Sequence, residues 1–362
     1  LVWRVVDFRL RGNDDRHLLA DRSARPAFSP SDVIIRPPTT MRVLITGMNG
    51  FAGTHLSNLL LRETYWNLIG ASRDTTGNRP NARVQWWKME LTDPNAVFRL
   101  LKFERPDVII HLAGQAHVGL SWQDAWSTFE SNVRGTLNLF QGVLKAGLTP
   151  RVLVISSNEV YGPPRNESDL PFREDQPLRP ANPYGVSKVA QDVMTLQYHT
   201  SHGLDALVAR PFNHFGPGQM ARFVAPQFAC QIAEIEQGLR EPVLRVGNMA
   251  ARRDFTDVRD VARAYLALVQ KADPGQAYNI CSGQAHSVQE ILDLMLSMSS
   301  AKITIESDPA KLRTADTPIS YGDNTKIKEA TGWQPQFAFE QTVADILNDW
   351  RERVKAGERS LE

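Results

Sequence analysis

The chain has 362 residues, enough for one large α/β domain or two closely joined ones with an ample core. Its 41 Lys+Arg and 40 Asp+Glu leave a net charge of +1, which gives no electrostatic case for nucleic acid or an acidic membrane surface. Two cysteines and no apolar run of membrane-spanning length exclude a disulfide framework and a bilayer segment, so a cytoplasmic chain is expected.

Residues 1–40 are rich in Arg, carry Pro26, Pro30, Pro37 and Pro38, and show no sustained helical period. Asp7, Asp14, Asp15 and Asp21 argue against a mitochondrial transit peptide, and no apolar h-region or small-residue cleavage site suggests a secretory one. This leader is expected outside the fold, as a disordered arm or translated upstream sequence. From Met41, short apolar runs alternate with helical patterns: "RVLITG", a helix over Phe51–Arg62, "NLIGAS", "VQWWKM", a helix around Asn95–Phe103 and "DVIIHLAG". A long helix over Asp124–Ala146, then "RVLVISS", a helix over Pro183–Ser201 and "DALVARP" follow. Strands that are apolar throughout and separated by helices predict an α/β fold, a Rossmann-type doubly wound parallel sheet covered on both faces. Beyond Asn213, Pro and Gly become frequent, as in a smaller, irregular lobe. The expected division is a nucleotide-binding domain over 41–214 with a returning segment near 253–280, and an α/β substrate-binding lobe from 215–252 and 281–355.

"TGMNGFAG" sets Gly47, Gly50 and Gly53 between the first strand and the first helix. A glycine turn leading into a helix N-terminus suits a pyrophosphate, because free N–H groups and the helix dipole face the anion. The strand-before, helix-after context is what gives such a motif weight, and its GxxGxxG spacing is that of short-chain dehydrogenases and reductases. At the end of the second strand, "GASRD" places Ser72 and Arg73 where an NAD site would present an acid to the ribose 2′-OH. A guanidinium and a hydroxyl there suit a 2′-phosphate, so NADP(H) is preferred, with NAD(H) kept open by Asp74.

"NPYGVSK" puts Tyr184 and Lys188 at i and i+4, on one helix face. The phenol of a free tyrosine titrates near ~10, too high for ready proton exchange at neutral pH. A neighbouring Lys188 ammonium is expected to lower it, so that Tyr184 exchanges a proton with a substrate oxygen while Ser157, at a strand end, orients that oxygen.

With "HLAG", "NVRGTLNL", "SSNEVYG", "RPFNHFGPGQ", "RDFTDVRD" and "YNICSG", these motifs resemble the extended short-chain dehydrogenase/reductase family over Met41–Arg351. "FNHFGPGQ" and "VGNMAARRDFTDVRD" look most like its GDP-4-dehydro-6-deoxy-D-mannose reductases, with GDP-mannose 4,6-dehydratases as close relatives. The resemblance implies a triad of Ser157, Tyr184 and Lys188. It implies cofactor contacts from Gly47, Asn49, Gly50, Phe51, Gly53, Ser72, Arg73, Glu90, Leu91, Leu112, Ala113, Gly114, Asn132, Tyr184, Lys188 and Phe212, with Asn132 as the family's structural asparagine. It also implies substrate contacts from Asn213, Arg253, Arg313 and Asp316, and a homodimer paired through a four-helix interface. Glu90 stands where the family's "DLTD" motif has Asp, and Gly114 where alanine is commoner.

Two activities stay open. A reductase would use NADPH to reduce the 4-keto group of a GDP-bound 6-deoxyhexose to GDP-D-rhamnose. A dehydratase would use the same triad with Glu159 as the base that removes the C5 proton. Another nucleotide-sugar epimerase or dehydratase is a weaker reading. A non-catalytic dinucleotide-binding regulator is disfavoured because the triad is complete. An ion pair of Arg252 or Arg253 with Asp254 or Asp257 competes with diphosphate binding, and no metal is expected at Asp254, Asp257 and Asp260, which open a helix without a His partner. His111, His117 and His214 are expected to pack or to satisfy backbone groups, not to catalyse.

Overall fold

Four of the five residues of β1 (Arg42–Thr46) are buried, as expected of a central parallel strand. The structure, a computed structural model, describes residues 40–75, 81–308 and 317–359; the expectations for the leader and for Arg313 and Asp316 lie outside the described residues. After β1 come α1 (Phe51–Glu63), β2 (Asn67–Ser72), β3 (Val84–Lys88), α2 (Pro94–Glu104), β4 (Val108–His111), α3 (Val118–Gln123), α4 (Ala125–Phe129), α5 (Gly135–Lys145), β5 (Arg151–Ile155), α6 (Pro183–His202) and β6 (Ala206–Pro211). The second half holds β7 (Asn213–Phe215), α7 (Val224–Glu236), β8 (Val243–Val246), β9 (Arg252–Arg253), β10 (Phe255–Asp257), α8 (Val258–Lys271), β11 (Ala277–Ile280), β12 (His286–Ser287), α9 (Val288–Ser297), β13 (Thr304–Ser307), β14 (Ile319–Ser320), α10 (Thr325–Thr331) and α11 (Phe339–Lys355).

Seven strands form one parallel sheet in the order β11-β6-β5-β4-β1-β2-β3. Strand residues alternate between two cores with the period of the pleat. Ile45, Ile110 and Leu153 pack with α1 and α8 on one face, and Leu44, Ile109 and Val152 pack with α2 and α5 on the other. Chain order reverses between β1 and β4, so a crevice opens beyond Thr46 and His111, which lie side by side. α7, α9 and α11 bury a separate core around Phe228, Ile291, Leu347 and Trp350.

Local chemistry sets the helices that frame the crevice. Asp93 caps α2 by accepting from the Asn95 and Ala96 amides, with Pro94 at the first helical position. Asn182 caps α6 by accepting from the Gly185 amide at 2.8 Å, again with a proline next, and Gly203 ends that helix at φ 66°. The long helix expected over Asp124–Ala146 is instead α4 and α5 joined by a π-helical turn over Glu130–Arg134. Such a turn adds a residue to the helix and commonly marks a functional site, and here it directs Asn132 into the interior. Three small sheets, β10-β7, β12-β9-β14 and β13-β8, were not expected, because strands of two to four residues carry no readable period. Among the described residues no helix is long and apolar enough to cross a membrane.

Candidate active site

The turn after β1 is shaped by close approach. Gly47 has φ +72°, and a Cβ there would lie 2.9 Å from the Ala113 nitrogen. A Cβ on Gly53 would lie 2.5 Å from the Gly47 carbonyl oxygen, so only glycine lets α1 sit so tightly against its own loop. Gly50 caps α1 without a side chain, and no acid occupies the first turn, so the first amides of the helix remain available to an anion. Glycine loop and helix N-terminus together make a cradle that fits a dinucleotide pyrophosphate.

At the far end of β2 the Ser72 hydroxyl donates to Asn49 Oδ1, and Asn49 Nδ2 donates to the Asp74 carbonyl at 2.6 Å. Asn49 thereby ties the glycine loop to the turn that carries Arg73, whose side chain stands exposed at the cleft edge. Arg73→Ala should raise the KM for NADPH at least tenfold and leave NADH nearly unchanged, because a charge-assisted contact to a phosphate is lost and none to a hydroxyl is. Equal changes with both cofactors would remove the 2′-phosphate role.

Ser157 follows β5 and Tyr184 and Lys188 stand on the first two turns of α6, and all three are buried. The Lys188 ammonium donates to the Ile155 carbonyl at 2.8 Å and lies 5.8 Å from the centre of the Tyr184 ring. Burial lowers its pKa to about 7, against the opposing pull of Asp192 one turn on. Burial moves Tyr184 the other way. Its phenol lies above the ordinary tyrosine value, with Glu159 adding to the rise and a hydrogen bond with Ser157 opposing it. In the chain by itself, burial is the largest of these influences on the phenol.

Glu159 belongs to the same cleft and accepts from Asn182 Nδ2 at 2.7 Å. Asn182 thus serves twice, capping α6 through its oxygen and holding Glu159 through its nitrogen. Its capping role is legible in "NPY"; its second bond is not. Asn213 and Arg253 line the same cleft. The two carboxylates expected to compete for Arg253 make other bonds. Asp254 accepts from the Ser282, Gly283 and Gly322 amides, and Asp257 pairs with Arg259 at 2.6 Å and accepts from Thr342. Among the described residues no group of His, Cys, Asp or Glu could hold a metal ion.

Asn132 does not reach the cleft. Its amide accepts from the Gln115 nitrogen at 2.7 Å and donates to the Gln115 carbonyl and to Ser187 Oγ at 2.9 Å, so it clamps the loop after β4 to the helix bearing Tyr184. These bonds fit the family's structural asparagine that the sequence implied. The other described residues named from the sequence for cofactor, catalysis or substrate all line one cleft of about 1840 Å³. A single small-molecule site usually occupies about 300–1,000 Å³, so the cleft has room for two ligands side by side.

The three histidines near the cleft bond to the protein itself. His111 is fully buried between the hydroxyls of Thr46 at 2.7 Å and Thr136 at 2.9 Å, and burial lowers its pKa to about 3. His117 caps α3 by accepting from the Leu120 amide, and His214 donates to the Phe212 carbonyl at 3.2 Å while stacking on Phe51. The sequence reading missed the exposed Trp122 of α3 and Phe223 before α7, which also line the cleft; nothing in their spacing sets them apart from packing residues.

The family model for GDP-mannose 4,6 dehydratase matches residues 44–346. The chain belongs to that family. It is one of the extended short-chain dehydrogenases/reductases, whose members differ in activity. The chain is 38% identical to a GDP-6-deoxy-D-mannose reductase of Pseudomonas aeruginosa, over 87% of this chain and 99% of that protein. It is 29% identical to GDP-mannose 4,6 dehydratase 2 of Arabidopsis thaliana, over 86% of this chain and 87% of the relative. The solved structure of RMD from Pseudomonas aeruginosa complexed with NADPH superposes with a TM-score of 0.77 at 38% identity, covering 87% of this chain and 100% of that one.

Proposed function

We propose that the protein reduces the C4 keto group of GDP-4-dehydro-6-deoxy-D-mannose with NADPH, forming GDP-D-rhamnose. The observation that carries this is the end-to-end likeness to the Pseudomonas aeruginosa reductase at 38% identity, against 29% for the Arabidopsis thaliana dehydratase. That reductase's organism also supplies the NADPH-bound structure with the same degree of likeness, which supports NADPH as the cofactor.

Bound NADPH supplies a hydride to C4. The chain's own residues complete the alcohol: Tyr184 gives its phenolic proton to the former carbonyl oxygen, and Ser157 hydrogen-bonds that oxygen and holds it in reach. Lys188, fixed by the Ile155 carbonyl, places a positive charge beside the phenolate left behind. A dehydratase is the second reading, favoured by the Glu159 carboxylate at the cleft. Incubation with GDP-4-dehydro-6-deoxymannose should oxidise NADPH, whereas GDP-mannose without added cofactor should be returned unchanged. Conversion of GDP-mannose without net use of NADPH would establish the lyase instead.

In this reading the 41–214 domain and its returning segment hold NADPH, and the GDP-sugar lies between that domain, through Asn213 and Arg253, and the lobe from 215–252 and 281–355, through Arg313 and Asp316. The active form is a homodimer pairing α6 and the α4–α5 helix of each copy. Support comes from Trp126 on α4, exposed to 74%, and from Val186 and Val193, which share one face of α6 and are exposed to 42% and 54%. Val193→Glu should therefore sediment as a monomer where the wild type sediments as a dimer; an unchanged sedimentation coefficient would discard this interface. Cytoplasmic residence belongs to the same reading, supported by the free thiols of Cys230 and Cys281, and recovery of the protein outside the cytoplasmic fraction would contradict it.

A further inference from the structure

Ser157 and Tyr184 come from different elements, and one side chain joins those elements on the cleft side. Ser157 opens the short turn after β5, and Tyr184 stands on the first turn of α6. The Ser157 hydroxyl oxygen accepts from the Glu159 amide at 3.2 Å, so its direction depends on where the Glu159 backbone lies. The carboxylate of that same residue accepts from Asn182 Nδ2 at 2.7 Å, and Asn182 Oδ1 accepts from the Gly185 amide at 2.8 Å, next to Tyr184. A continuous run of bonds therefore leads from the serine hydroxyl to the helix that carries the tyrosine.

The fit around this run is close. A Cβ on Gly185 would lie 2.7 Å from the Glu159 carbonyl oxygen, so α6 and the turn meet backbone to backbone. Asn182 and Glu159 are half-buried in the cleft wall, where a hydrogen bond to a charged group is partly shielded from water and stronger than a neutral one. Capping alone does not call for an amide, since Ser and Asp cap a helix about as well as Asn. What asparagine adds is a donor, and that donor goes to Glu159.

We propose that Asn182 is a positioning residue for the reduction, holding the Ser157 hydroxyl in register with Tyr184 through the Glu159 carboxylate. In this role Glu159 braces the two elements and removes no proton. The proposal rests on the reading of Ser157 and Tyr184 as the groups that hold and protonate the substrate oxygen.

Asn182→Asp and Glu159→Gln, made singly and together, test it. Aspartate keeps a capping oxygen but sets a second carboxylate against Glu159. Asn182→Asp should therefore lower kcat for the keto sugar by about tenfold or more, with the KM for NADPH and the unfolding temperature as in wild type. In the Glu159→Gln background the same change should cost less than about twofold, because the glutamine amide can donate to the aspartate and remake the bond with its polarity reversed. Asn182→Ser, which keeps a capping oxygen and adds no charge, should lower kcat by about fivefold, the usual weight of one hydrogen bond. Equal losses from Asn182→Asp in both backgrounds would overturn the proposal, and so would wild-type kcat in Asn182→Ser. Losses that follow a lowered unfolding temperature would also overturn it, in favour of a purely structural cap. Failure of the wild type to oxidise NADPH with the keto sugar would instead overturn the reading on which the proposal rests.

Discussion

Tyr184→Phe should lower turnover of the keto sugar by about 10³-fold, within the usual range for loss of a general acid, while NADPH binds as in wild type. The ring is buried, so the phenylalanine keeps its packing and only the hydroxyl between Ser157 and the substrate oxygen disappears. Lys188 cannot take over the proton transfer from its place on the Ile155 carbonyl. Steady-state kinetics alongside a cofactor titration would check this. A variant with more than a tenth of wild-type turnover would remove Tyr184 as the proton donor.

The second large effect lies behind the site. Arg210 of β6 binds Asp192 of α6 through two bonds, Nε to Oδ2 at 2.8 Å and Nη2 to Oδ1 at 3.1 Å, and a third reaches the Tyr161 hydroxyl at 2.9 Å. The two side chains of the pair are 5% and 0% exposed. Arg210→Leu would strand the Asp192 carboxylate in the interior and should cost about 3–5 kcal/mol of stability. Replacing both residues by apolar ones should recover much of that loss, because the charge left behind is what destabilises. Urea unfolding of the single and double variants would measure it, and a single variant within about 1 kcal/mol of wild type would contradict the account. Asp192 also accepts from Ser156, the neighbour of Ser157, and follows Lys188 by one helical turn, so the same loss should reach the catalytic residues.

The sheet was legible because its central strands carry runs of apolar residues, as in "VLI", "VII" and "VLVI", separated by helical patterns. The glycine loop and the Tyr184–Lys188 pair were legible because their chemistry depends on local spacing, one on close backbone approach and the other on helical periodicity. What stayed hidden depends on distant partners. Asn132 reads as one more residue of a long helix until the π turn buries it against Gln115 and Ser187. Asp192 and Arg210 lie 18 residues apart on different elements, and no local pattern announces their pairing. The burial that raises the Tyr184 phenol was hidden too, because spacing shows proximity and not desolvation. Asp254 looked like a partner for Arg253 because they are adjacent, yet its carboxylate turns to three backbone amides brought in from Ser282, Gly283 and Gly322.

Isotope transfer tests the central claim most directly. NADPH deuterated at both C4 positions of its nicotinamide, supplied with GDP-4-dehydro-6-deoxy-D-mannose, should leave one deuterium on C4 of the hexose for each NADPH oxidised. A product without deuterium, or consumption of GDP-mannose with the NADPH pool intact, would contradict the assignment.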